Sequence, residues 1–119
     1  MTLKECYEKM EANYEEVIGR LRSERLVQKF ALKFLDDPSY RLLITSMEEK
    51  NYEEAFRAAH TIKGVCQNLG FTRLGRSSSA LTEALRGGWS QEADSLLEQT
   101  KADYQSTVTP LQALRDSQQ

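Results

Sequence analysis

Residues that interrupt helices are scarce, with 2 prolines and 6 glycines in 119 positions. No stretch alternates apolar and polar side chains as a half-buried strand would, so every periodic segment reads as helix. There is 1 histidine, and the 2 cysteines, Cys6 and Cys66, lie far apart with no metal-binding or redox spacing. One histidine and two distant thiols exclude a dedicated zinc or haem site. Basic charge is not in excess: 16 Lys and Arg against 18 Asp and Glu give a net charge of −2. That balance offers no electrostatic grip on nucleic acid and no polybasic footprint for a membrane. No apolar run approaches the roughly 20 residues of a membrane span, and the opening residues do not read as a secretory signal.

What is present suits one soluble domain. Apolar residues make up 39% and charged residues 29% of the chain, enough to bury a core and keep a solvated surface. The length fits a single domain over 1–119 and is too short for two ordinary ones. The expectation is a reduced, cytoplasmic monomer.

Leu3, Tyr7, Met10, Tyr14, Val17 and Leu21 form a first apolar stripe at three-four spacing. Asn13, with Glu16 three residues on, has capping-box character and divides this stripe into two short helices. Ser23 caps the next helix, which carries Leu26, Val27, Phe30, Ala31 and Phe34. Asp36-Asp37-Pro38 ends it and starts another, with Asp37 as cap and Pro38 at the first helical position. That helix holds Tyr40, Leu43, Ile44 and Met47 and runs to about Lys50. Asn51-Tyr-Glu-Glu repeats Asn13-Tyr-Glu-Glu, as expected of a good cap used twice. A long helix follows from Tyr52 to Leu69, with Gly70 placed for a left-handed end. Thr72 to Arg86 makes another, before Gly87-Gly88. Ser90 caps the last, whose stripe of Ala93, Leu96, Leu97, Tyr104, Val108, Leu111 and Leu114 continues past Pro110, where a kink is expected. Short connections favour antiparallel neighbours. The expected fold is all-α: an antiparallel four-helix bundle from the last four helices, with one or two extra N-terminal helices covering one end.

His60, the single histidine, sits mid-helix. At about 100° per residue, Ala55, Ala59, Ile62, Cys66 and Leu69 share one face, and His60 lies roughly 140° from its centre. Gly64 and Gln67 fall within about 40° of His60, and Lys63 lies on the flank between it and the core. A glycine exposed in a helix interior costs about 1 kcal/mol relative to alanine. Either another helix crosses closely there, or something must approach the backbone beside the imidazole. A nucleophile, a missing side chain one turn on and a cation between them make a surface able to accept a bulky anion.

The run Ala58-Ala59-His60-Thr61-Ile62-Lys63-Gly64, with Leu69-Gly70 and Leu74 beyond it, closely resembles the histidine-containing phosphotransfer (HPt) domain family, whose hallmark is His-x-x-Lys-Gly on a bundle helix. The resemblance covers about Ser23 to Leu114. It implies a carrier that shuttles a phosphoryl group between receiver-domain aspartates in a two-component phosphorelay. On that basis His60 is the phosphoryl acceptor, Lys63 the cation beside the phosphoryl oxygens and Gly64 the clearance for the partner. Val65, Cys66 and Thr82 depart from residues common at these places, so no further hydrogen bond to the imidazole is carried over.

The chemistry agrees with a carrier. An imidazole with an unperturbed pKa of about 6.5 is largely neutral near pH 7 and nucleophilic. No carboxylate cluster suited to Mg²⁺ surrounds His60 in sequence, and there is no Gly-x-x-x-x-Gly-Lys-Ser/Thr loop for nucleotide phosphates. The expectation is a protein with no cofactor and no ATP-dependent kinase activity of its own, with Mg²⁺ supplied by the partner receiver. Phe56, with Phe34 second, is the candidate apolar centre of a docking face, against the favoured alternative that both are core residues at helical spacing; Arg57, Lys63 and Arg86 are its candidate rim, and Gln67 joins it beside His60. The initial methionine and full helical layout favour a free-standing carrier. The competing reading is a non-catalytic helical adaptor, which would carry no acid-labile phosphoryl label.

Overall fold

A computed structural model describes residues 1–118 as seven α-helices and one 3₁₀ turn. They are α1 (Leu3–Lys9), α2 (Tyr14–Leu21), α3 (Glu24–Lys33), the turn Phe34–Asp36, α4 (Ser39–Glu48), α5 (Tyr52–Leu69), α6 (Thr72–Leu85) and α7 (Gln91–Ser117). Each boundary has a local cause. Thr2 and Glu5 form a reciprocal capping box on α1. Asn13 and Asn51 accept from the amides of Glu16 and Glu54 at 3.0 and 3.3 Å, so the repeated tetrapeptide is one cap used twice. Ser23 and Ser90 cap α3 and α7 in the same way.

Two boundaries shift from the sequence reading. Pro38 precedes α4 instead of opening it, and the Asp37 carboxylate accepts from the Ser39 amide at 2.8 Å. The helix then stops at Glu48, because Lys50 turns to a left-handed φ of 59°. The last helix runs unbroken through Pro110.

The bundle is formed by α4 against α5, α5 against α6, and α6 against α7. Its core holds Leu43 and Met47 from α4, Ala55, Ala59 and Ile62 from α5, Leu81 and Leu85 from α6, and Leu111 and Leu114 from α7. Each fully buried leucine or isoleucine stabilises the fold by about 1.5–3 kcal/mol relative to exposure. At one end Tyr40 of α4 lies flat on Tyr104 of α7, with ring centroids 3.6 Å apart. Phe34 meets Tyr104 at 6.0 Å and Phe71 at 5.4 Å, and Tyr7 continues the row from Phe71 at 5.8 Å.

The N-terminal helices finish the C-terminal end of α5. A helix leaves its last carbonyls without internal partners, and here α1 and α2 supply donors. The Tyr7 hydroxyl donates to Leu69 O at 2.7 Å, the Asn13 amide to Gly70 O at 2.8 Å, and Arg20 to Gln67 O and Asn68 O at 2.8 and 2.6 Å. Gly70 is required twice over. Its φ is +72°, and a Cβ there would stand 2.7 Å from the Asn13 carbonyl oxygen.

On α3 only part of the expected stripe is inside. Val27, Ala31 and Phe34 are buried, whereas Leu26 and Phe30 are each 40% exposed. Phe34 is thus corrected from a docking residue to a core residue. At 3% exposure, between Phe71 and Tyr104, it has no face left to offer a partner.

Candidate functional site

The site is built on the middle of α5, a long helix fixed by an asparagine cap at one end and by the N-terminal helices at the other. Ala55, Ala58, Ala59, Ile62 and Cys66 point inward. The 3.6-residue period then turns His60 outward, and the imidazole is exposed. Among the described residues no side chain or backbone group hydrogen-bonds to it, so its rotation is limited by packing alone. That packing comes from Phe56, one turn earlier, whose half-buried ring lies parallel to the imidazole with centroids 6.2 Å apart.

Lys63 is half-buried on the same helix and forms no ion pair among the described residues. Gly64 follows one turn after His60. A Cβ added at Gly64 would meet nothing within 4 Å, which removes a close helix crossing as its cause. The helix would accept alanine there with a gain in propensity. What the glycine leaves is open backbone beside an exposed imidazole, and Gln67 is exposed a further turn along.

Helix α6 supplies the other wall. The Arg86 guanidinium lies over the Phe56 ring, 5.1 Å from its centroid, and Glu83 grips it through two hydrogen bonds of 3.0 and 3.1 Å. Those bonds and the Arg86 charge hold the Glu83 carboxyl below the usual carboxylate range, with smaller contributions from the charges of Lys63 and His60. Glu83 was not among the expected site residues. Its three-residue spacing from Arg86 was visible, but its nearness to His60 depends on how α6 packs on α5. Arg57 is also exposed, yet Glu53 and Glu54 engage it from the preceding turn. Thr82, the other α6 position considered, is buried, and its hydroxyl donates to Ser78 O at 2.7 Å.

The comparison that decides the family is a match of residues 3–116 to the Hpt domain family model. The chain belongs to the Hpt domain family. No curated protein and no solved structure matches it. Hpt domains serve histidine phosphotransfer in two-component phosphorelays as carriers, not kinases, and they interact with receiver domains. The matched segment covers α1 to α7, so the N-terminal helices that finish α5 belong to the Hpt unit here. Among the described residues no helix is long and apolar enough to cross a membrane.

Proposed function

We propose that this Hpt domain accepts a phosphoryl group on His60 from the aspartate of one receiver domain and passes it to the aspartate of another. The observation that supports this most directly is Gly64. It is an exposed-side helix glycine that no neighbour requires, one turn from the single histidine. An adaptor has no use for that gap, whereas a partner carrying its aspartate to the imidazole does.

In the transfer, the lone pair of the unprotonated ring nitrogen attacks phosphorus. The bond from phosphorus to the aspartate oxygen breaks, and its electron pair returns to the carboxylate. The proton on the other ring nitrogen leaves to solvent. Lys63 draws the phosphoryl oxygens by charge, and the second transfer reverses these steps on a new aspartate. Phosphoryl transfer is governed by positioning and charge neutralisation. In this reading the receiver brings the Mg²⁺ and the domain brings the nucleophile. Phe56, Arg57, Gln67 and Arg86 surround His60 as the docking face, with an apolar centre and a charged rim. The carrier is taken to work as a cytoplasmic monomer without kinase activity.

The test is to mix the protein with a panel of phosphorylated receivers and Mg²⁺ and follow acid-labile, base-stable label. Wild type should take up label from at least one receiver. His60→Gln should take up none while keeping its helicity and melting temperature, since exposed substitutions usually cost within about 0.5 kcal/mol. Label on the His60→Gln protein would move the acceptor to another residue and overturn the assignment, and no label on wild type from any receiver would leave the adaptor reading standing instead.

A further inference from the structure

The charges around His60 do not all favour a phosphoryl group. Lys63 does, and so would a free Arg86. Glu83 is a carboxylate on the same rim, close enough for the charges of Lys63 and His60 to act on it. A phosphoryl group adds roughly two negative charges, so an unneutralised Glu83 would repel it. Glu83 instead spends its charge on Arg86 through a two-bond fork, and Arg86 in turn rests on the Phe56 ring that lies parallel to the imidazole. The three side chains form a continuous path from Glu83 to the acceptor.

We propose that the Glu83–Arg86 pair sets how readily His60 holds a phosphoryl group, Glu83 disfavouring the phosphorylated state and Arg86 favouring it. The inference rests on the phosphoryl-acceptor reading of His60 and adds a regulator to that site. With both residues present, the pair is neutral and the acceptor sits at an intermediate setting. A carrier that must both receive and release its cargo works best when neither form is strongly favoured, because excessive affinity in one direction stalls the other.

The pair acts through charge, so removing either partner uncovers the other. Glu83→Gln frees a cation beside the acceptor. Arg86→Gln frees an anion. The two single variants therefore act in opposite directions, and the double variant returns close to wild type. A residue that merely supported the helix could not give that pattern, because both losses would then weaken the same function.

The experiment uses phosphoramidate as a small-molecule donor, which removes receiver docking from the measurement. The ring nitrogen attacks its phosphorus, the phosphorus–nitrogen bond breaks, and the amine takes up a proton and leaves as ammonia. The initial rate of acid-labile labelling is measured for wild type, the two single variants, the double variant and Glu98→Gln, a control that breaks an exposed ion pair with Lys101 on α7, a helix that carries none of the residues placed around His60. At low salt, Glu83→Gln should label about two- to fivefold faster than wild type and Arg86→Gln slower by a similar factor, the range of exposed ion-pair energies. Both ratios should shrink toward one in 1 M salt, where screening acts over about 3 Å. The control should match wild type at both salts. Single variants that shift the rate in the same direction, or ratios that persist at high salt, would overturn the charge-pair inference while leaving His60 as acceptor. If phosphoramidate labels wild type and all variants equally, the inference fails alone. If wild type takes label neither from phosphoramidate nor from any receiver, the acceptor reading fails and this inference with it.

Discussion

The hydroxyl of Tyr7 donates to the carbonyl oxygen of Leu69 at 2.7 Å, both groups buried and 62 positions apart in sequence. This bond joins the first helix to the last turn of the helix that carries His60. Tyr7→Phe keeps the ring and strands the carbonyl. The expected cost is about 1–3 kcal/mol, the penalty for a buried acceptor left unmade. Urea unfolding should show a lower midpoint at unchanged slope.

Gly64 separates fold from function. Gly64→Ala should raise stability by up to about 1 kcal/mol, because the backbone is helical and the added methyl meets nothing. Gly64→Gln should fold as well, yet slow transfer from a receiver by occupying the space over the backbone. Transfer at the native rate in a stably folded Gly64→Gln protein would remove the clearance argument.

Stability should fall in alkali. Burial pushes the Cys6 thiol up to about 11, and pushes Cys66 and the Tyr7 hydroxyl higher still. In the unfolded chain a thiol loses its proton near pH 8.5. Between those values the native state binds more protons than the unfolded state, so unfolding becomes easier as pH rises. Stability should be flat in this respect below about pH 8 and decline toward pH 11, with a slope approaching 1.4 kcal/mol per pH unit for each thiol. Chemical unfolding at a series of pH values checks it. A Cys6→Ala protein should lose part of the slope.

Arg86 should also matter to docking. With an unphosphorylated receiver, so that no chemistry intervenes, Arg86→Glu should lower the association rate more than it raises the dissociation rate, and added salt should weaken the difference. Stopped-flow mixing reads both rates. Association indifferent to salt and to the reversal would place the docking face elsewhere on the domain.

The sequence alone determined the helices and singled out His60 as the candidate acceptor. Caps at Asn13, Ser23, Asn51 and Ser90 and the turn at Gly70 are local chemistry, satisfied within three or four residues, so they could be read without knowing any neighbour. The outward direction of His60 followed from the helical period and the inward face of Ala55, Ala59, Ile62 and Cys66. What tertiary structure decided is whatever depends on which helix lies beside which. Phe30 and Phe34 lie four residues apart, one in α3 and the other opening the turn that follows it, and only the packing of Phe71 and Tyr104 makes Phe34 a core residue while Phe30 stays exposed. The hydrogen bonds that finish α5 come from Tyr7, Asn13 and Arg20, residues whose partners no spacing rule could name. Glu83 reaches the neighbourhood of His60 for the same reason: a charge acts through space, and the chain's order does not record which charges the bundle brings together.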